Sequence, residues 1–306
     1  MRNRHRTLAI TGGTGFVGRH LIDAALAQGH VVRALTRAPR PPRDGVHWIY
    51  GALEKPVALA QLVAGADAVL HVAGVVNADR EGFRLGNVAG TLAIVEATRA
   101  AGVRRFVHVS SLAAREPGLS DYGWSKARAE TIVAASALDW TMIRPPAIFG
   151  PGDREMLDLF KWARRGLVPL PPAGRFSVVA AQDLVRLLLA VLPDDESQAA
   201  IYEPDDGRPQ GWSHVEFAEA LGHAVGRRAR AQPLPAWAMH VGARLDHLLR
   251  GANAKLTADR VGYMLHPDWV SDPARRPPKH LWRPQLATLD GLAIAAESYR
   301  EEGLLA

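Results

Sequence analysis

The first half of the chain alternates short apolar runs with longer stretches of helical period. Thr7–Thr11, His30–Leu35, Ala68–Val72, Phe106–Val109 and Trp140–Ile143 read as strands, with His47–Tyr50 a weaker one. Between them Gly15–Gln28, Ala58–Val63, Asn87–Ala101 and Ser125–Ala137 carry the spacing of helices. Strands joined through helices need crossover connections, hence a parallel sheet. After Gly150-Pro151-Gly152 the rhythm loosens, with helices expected over Met156–Arg164, Asp183–Leu192, Trp212–Val225, Ala236–Leu249 and Leu286–Gly303. Ser213 followed by Glu216 has capping-box spacing. The expected fold is α/β, a doubly wound parallel sheet with a smaller, mainly helical C-terminal region. Residues 1–150 would form the core, and 151–306 a cap partly interleaved with it.

Composition narrows the class. With 306 residues, 48% of them hydrophobic and 22% charged, the chain can bury a large core. The formal net charge of +6 is spread over small groups, namely Arg2–Arg6, Arg104-Arg105, Arg164-Arg165, Arg227–Arg230 and Arg275-Arg276, which read as solvated faces. No basic stripe points to nucleic acid. The absence of cysteine excludes disulfides, thiolate metal sites and a cysteine nucleophile. The twelve histidines lack metal-site spacing, so no metal is expected and His71 reads as a core or strand-end residue. The strongest apolar run, Leu184–Leu192, contains Arg186 and falls well short of the ~20 residues that cross a bilayer. Neither a membrane span nor a signal peptide is expected, and the location is expected to be cytoplasmic.

The best-defined motif is Thr11-Gly12-Gly13-Thr14-Gly15-Phe16-Val17-Gly18, which follows a strand and opens a helix. Glycines there permit a tight turn and close approach of a pyrophosphate, held by backbone N–H groups and the helix dipole. Gly12, Thr14, Gly15, Phe16, Val17 and Gly18 are therefore candidate cofactor contacts, which makes the sheet one of Rossmann type, residues 1–150 a dinucleotide-binding core and 151–306 a substrate-binding cap. At the end of the second strand, where a carboxylate would hold an adenosine ribose, the chain reads Val31-Val32-Arg33-Ala34-Leu35-Thr36-Arg37. Arg33 and Arg37 are candidates for a guanidinium clamp on a 2′-phosphate, which favours NADP, with NAD the alternative. Further along, Tyr122-Gly123-Trp124-Ser125-Lys126 sets a phenol and an ammonium four residues apart on one helix face. A neighbouring cation favours the phenolate and eases proton exchange with a carbonyl or alcohol near neutral pH.

Together with His71-Val72-Ala73-Gly74, Asn87-Val88-Ala89-Gly90-Thr91, Val109-Ser110-Ser111 and Arg144-Pro145-Pro146-Ala147-Ile148-Phe149-Gly150-Pro151-Gly152-Asp153, these motifs resemble the short-chain dehydrogenase/reductase superfamily in its extended or atypical branch. The resemblance implies Tyr122 as general acid/base and Lys126 as both a nicotinamide-ribose ligand and the group that lowers the tyrosine pKa. It implies Ser111 as the hydroxyl that polarises the substrate oxygen, with Ser110 as fallback, and Asn87 in a proton relay or a turn of its helix. Ala73, Gly74 and Pro145 join the cofactor contacts. One departure is Gly51-Ala52-Leu53, where the family commonly offers an Asp to adenine. Trp212, Trp237, Met239, Tyr263, Met264, Trp269 and Trp282 are either pocket lining or core.

The leading expectation is an NADP-dependent oxidoreductase moving hydride between nicotinamide and a carbonyl or secondary alcohol of a mostly apolar small molecule. One rival is a nucleotide-sugar epimerase or dehydratase, with Arg175 as a diphosphate ligand. Another is a non-catalytic nucleotide-binding subunit or redox sensor, which would not need Tyr122, Lys126 and Ser111 together. A homodimer is compatible with the resemblance.

Overall fold

The computed structural model describes residues 5–251 and 254–305. Of the Arg2–Arg6 group only His5 and Arg6 fall among them. In chain order the first segment holds β1 (Thr7–Thr11), α1 (Phe16–Ala27), β2 (Val31–Thr36), β3 (Val46–Tyr50), α2 (Pro56–Val63) and β4 (Ala68–His71). It continues with α3 (Arg80–Phe83), a π-helical turn (Arg84–Ala89), α4 (Gly90–Ala100), β5 (Arg105–Val109), a 3-10 turn (Leu112–Arg115), α5 (Asp121–Ala134) and β6 (Asp139–Ile143). Next come β7 (Ala147–Phe149), α6 (Leu157–Arg164), β8 (Leu167–Leu170), β9 (Arg175–Phe176), β10 (Val178–Ala180), α7 (Ala181–Ala190) and β11 (Ala200–Tyr202). The last elements are β12 (Trp212–Ser213), α8 (His214–Ala224), β13 (Arg230–Pro233), α9 (Ala236–Arg250), α10 (Ala258–Met264), β14 (Asp268–Trp269) and α11 (Thr288–Glu301).

The chain divides into two compact units. The first runs to Arg144 and takes back Val185–Tyr202 and Pro278–Trp282; the second holds Pro145–Leu184, Glu203–Pro277 and the residues from Arg283 onward. The changeover at Arg144-Pro145 precedes the expected one at residue 150, because β7 pairs with β10 and not with the central sheet.

In the first unit the strands form a seven-stranded sheet in the order β11-β6-β5-β4-β1-β2-β3. Every neighbouring pair is parallel. Strand order reverses between β1 and β4, and in such sheets ligands bind beyond the carboxyl ends at that point. Ala9, Val69, Phe106 and Met142 pack under Leu59, Leu62, Ile94, Val95 and Val133. Leu8, Ile10, Leu70, Val107 and Ile143, which alternate with them, are equally buried, so both faces of the sheet are covered.

Some boundaries differ from the sequence reading for local reasons. Helix α5 begins at Asp121 because the Ser120 hydroxyl accepts the Gly123 N–H at 2.9 Å, and by residue 137 the chain has turned left-handed at Ala137 (φ 55°). The helix expected from Asn87 starts earlier, as α3 and the π turn, with Asp79 as its N-cap. Arg105, expected at the surface beside Arg104, is buried and donates to the carbonyl oxygens of Asp139 (2.7 Å) and Val191 (2.5 Å) and to Thr141 Oγ1 (2.7 Å).

The second unit has its own core, in which Phe149, Phe160, Phe217, Leu221, Leu292 and Tyr299 are buried together. Phe160 and Tyr299 meet edge to face at 5.1 Å. The capping box of Ser213 and Glu216 is formed at the start of α8.

At the carboxyl end of the sheet, Thr11, His71, His108 and Met142 are register partners on one face. The two histidine rings stack at 5.3 Å and are fully buried. Burial, and secondarily the Lys126 ammonium, holds His71 down to about 3 and His108 well below the usual imidazole range. Both therefore stay neutral in the native state while the unfolded chain takes up protons below about pH 6.5. Stability conferred by the neutral rings is thus lost as pH falls through that value. Between pH 7 and pH 5 the unfolding free energy should drop by about 2 kcal/mol per histidine, read from urea titrations at the two pH values. His108→Phe should remove about half of that loss.

Candidate active site

The loop between β1 and α1 is built so that no side chain fills it. Gly12 sits at φ 73°, and a Cβ there would lie 2.6 Å from the Ala73 backbone nitrogen. A Cβ on Gly18 would meet the Gly12 carbonyl oxygen at 2.0 Å, so both glycines are required by close backbone approach. Gly15 caps α1 and offers no side-chain acceptor, which leaves the first turn's N–H groups to an external anion. A dinucleotide pyrophosphate fits this cradle. Thr14 and Phe16 are half-buried, as is Val17, while Gly15 is exposed.

Helix α5 carries Tyr122 and Lys126 one turn apart. Gly123 lies between them, and a Cβ there would come within 2.7 Å of the Ala113 carbonyl oxygen. This glycine lets the first turn of α5 sit against the 3-10 turn that Ser111 caps, where Ser111 Oγ accepts the Ala113 N–H at 3.2 Å. Ser111 is half-buried, like Tyr122. Ser110 is buried and donates to Glu130 Oε1 at 2.5 Å, so its hydroxyl is committed to the interior. Lys126 is only 5% exposed, and its Nζ donates to the Val109 carbonyl at 2.7 Å. Desolvation pulls its pKa down to about 8, opposed by Glu130 one turn further along α5.

Asn87 lies in the π-helical turn, a distortion that recurs at functional sites. Its Oδ1 accepts the Val75 N–H at 2.7 Å, and its Nδ2 donates to the Val75 carbonyl (3.0 Å) and to Ser125 Oγ (2.9 Å). A Cβ on Gly74 would lie 3.5 Å from Asn87 Oδ1 and 3.6 Å from Lys126 Nζ. Gly74, Asn87 and Lys126 are thus brought together.

Several supporting residues escaped the sequence reading. Ser125 bridges Asn87 to the Tyr122 carbonyl, to which it donates at 2.8 Å. Glu130 binds Arg144 through two contacts, 2.8 and 2.6 Å, in a largely buried pair. Extending the four-residue spacing from Tyr122 through Lys126 would have reached Glu130.

The two arginines proposed as a clamp part company. Arg33 faces the C-terminal end of α2, donating to the carbonyl oxygens of Leu62 (3.0 Å) and Gln61. It lies three residues before the end of β2, too early in the strand to face the carboxyl edge, and its guanidinium satisfies helix carbonyls. Arg37 follows β2 directly and is exposed. Ala73 is half-buried and donates to Thr11 Oγ1 at 3.3 Å. Pro145 is buried and opens the second unit. Arg175 donates to the carbonyls of Gln210 (2.6 Å) and Gly211 (3.1 Å) and lies 3.6 Å from Glu216 Oε2. Among the described residues no group of His, Asp or Glu could hold a metal ion.

Comparison with known proteins agrees with this geometry. A family profile described as NAD(P)H-binding matches residues 12–156. A ceramide reductase from Caulobacter vibrioides is 36% identical over 97% of this chain and 96% of its own length. The chain belongs to the extended short-chain dehydrogenase/reductase family. A 2-alkyl-3-oxoalkanoate reductase from Stenotrophomonas maltophilia is 30% identical over 93% of this chain and 97% of its own. Among solved structures, the epimerase Mth375 from Methanothermobacter thermautotrophicus superposes with a TM-score of 0.74 at 19% identity, covering 98% of this chain and 94% of that one. The likeness to Mth375 is one of fold. As a member of this family the protein is an NAD(P)-binding oxidoreductase.

The Glu130–Arg144 pair should be structural. Glu130→Gln should lower the unfolding free energy by about 3 kcal/mol, measured in urea, because it removes the carboxylate charge paired with a largely buried guanidinium.

Proposed function

We propose that the protein reduces a ketone carried on an apolar, alkyl-chain substrate, with NADPH as donor. The observation that carries the reading is the buried Lys126 ammonium, one helical turn from Tyr122 and bonded to the end of the strand leading into Ser111. When bound, the nicotinamide supplies hydride to the carbonyl carbon. Tyr122 donates the proton that the forming alkoxide needs. Ser111, on its capped turn, holds the substrate oxygen, and Lys126 keeps the phenol acidic while binding the nicotinamide ribose. Asn87, with Ser125, fixes the first turn of α5 in place. Gly12, Thr14, Gly15, Phe16, Val17 and Gly18 hold the pyrophosphate, with Ala73, Gly74 and Pro145 completing the nucleotide contacts.

The preference for NADPH rests on Arg37 alone. It stands just beyond β2 with no carboxylate beside it in sequence, where a ribose 2′-phosphate would be read. The substrate class is supported by the names of the two reductase relatives, a ceramide reductase and a 2-alkyl-3-oxoalkanoate reductase, both specifying aliphatic lipids. Arg175, the diphosphate ligand that a nucleotide-sugar epimerase would want, donates to the carbonyls of Gln210 and Gly211, which favours the reductase reading.

The test is NADPH oxidation with long-chain 3-oxo esters and amides. Wild-type protein should turn them over, and Tyr122→Phe should lose about 10³-fold in kcat while keeping its affinity for NADPH. Arg37→Ala should raise KM for NADPH about tenfold and leave NADH unchanged, whereas Arg33→Ala should not discriminate between the two. Unaltered turnover by Tyr122→Phe sinks the catalytic assignment. Stoichiometric NAD released on denaturing freshly purified protein sinks the exchanging-reductase reading.

A further inference from the structure

Helix α9 is held in the second unit by one narrow face. Met239 and Ala243 are buried with Val261, against Leu234, Leu256 and Met264. Asp246 turns inward, accepting the backbone N–H groups of Lys255 (2.7 Å) and Leu256 (2.9 Å). The opposite face is apolar and open to solvent. Trp237 is 70% exposed, Leu248 79% and Leu249 84%, while Val241 and Leu245 are about half exposed. At about 100° per residue, Trp237, Val241, Leu245 and Leu248 fall within an arc of about 80° that Leu249 extends. From Trp237 to Leu249 the stripe runs about 18 Å along the axis. Single exposed leucines are ordinary, but a continuous stripe ending in an exposed tryptophan marks an interaction surface.

Helix α9 places one formal charge beside the stripe, a positive one. Arg244 adjoins it, with His240 and His247 on the same flank. The helix's only carboxylate, Asp246, is spent on backbone N–H groups and on Arg250 at 3.2 Å. We propose that α9 lies on the surface of an anionic phospholipid bilayer, with Trp237 and the leucines in the headgroup–acyl boundary and Arg244 among the phosphates. Aromatic and leucine anchors beside basic residues suit an interfacial helix. A two-fold contact with a second copy would instead bring two basic flanks to one interface. No described helix is long and apolar enough to cross a membrane, so the contact is peripheral. The proposal is independent of the reductase reading. If both hold, the protein meets an alkyl-chain substrate where that substrate resides.

The full chain would be floated with vesicles of phosphatidylcholine alone and of phosphatidylcholine mixed with phosphatidylglycerol, without any turnover assay. Binding to the mixed vesicles should be about tenfold stronger, and should weaken as salt rises from ~0.1 M, where the Debye length is ~10 Å, to ~1 M, where it is ~3 Å. A Trp237→Ser/Leu248→Ser double variant should bind about tenfold more weakly with unchanged thermal melting and NADPH binding. Arg244→Glu should abolish the preference for phosphatidylglycerol. Absence of binding to either vesicle, or binding indifferent to the double variant, overturns the proposal. So does a dimer in light scattering that the double variant converts to monomer, which would assign this face to a second copy.

Discussion

A charged ammonium must be kept inside the protein, and much of the first unit is arranged around that requirement. Lys126 is desolvated enough to bring its pKa down to about 8. Left alone, burial would neutralise it. The Val109 carbonyl accepts from it, and Glu130 supplies the opposing charge one turn along α5. Glu130 in turn cannot be buried unpaired, and Arg144 and Ser110 satisfy it. Ser110 is thereby withdrawn from the surface, which leaves Ser111 as the hydroxyl available at the end of the strand.

The second constraint is backbone proximity at the switch point of the sheet. Gly12 approaches Ala73 more closely than any side chain permits, so the loop after β1 and the loop after β4 are locked together where their directions diverge. Fixing both loops costs conformational freedom before any ligand binds, and that pre-organisation is what a flexible dinucleotide would otherwise have to supply.

Much of this was legible in the sequence because it rests on local signals. Glycine spacing after a strand, a Tyr and Lys four apart, and alternation of strands with helices are all short-range, and the central sheet followed from them. What stayed hidden is non-local. The seventh strand, β11, has three residues, too few for a period, and joins the sheet from beyond residue 150. Arg105 and Arg33 look like surface residues in one dimension; both find backbone carbonyls only after folding. Ser125 and the π-helical turn around Asn87 likewise have no linear signature. The reading was weakest in the second half, where short strands such as β9 and β14 pair across almost a hundred residues.

One hydrogen-bonded path shows why the non-local residues matter. The Ala73 N–H reaches Thr11 Oγ1, which meets His71 Nδ1 at 2.6 Å, and His71 Nε2 meets Thr91 Oγ1 at 3.0 Å. Thr91 donates to the Asn87 carbonyl at 2.6 Å, Asn87 donates to Ser125, and Ser125 to the Tyr122 carbonyl. Because the Thr91 proton is directed at Asn87, its oxygen is left to accept from His71. The ring is therefore the Nε2–H tautomer, and Nδ1 accepts from Thr11. A neutral imidazole suits both ends, and burial keeps it neutral. The glycine loop after β1 and the helix that bears Tyr122 are thus joined through one ring whose two nitrogens have opposite roles. A side chain able only to donate, or only to accept, would break the path at one end.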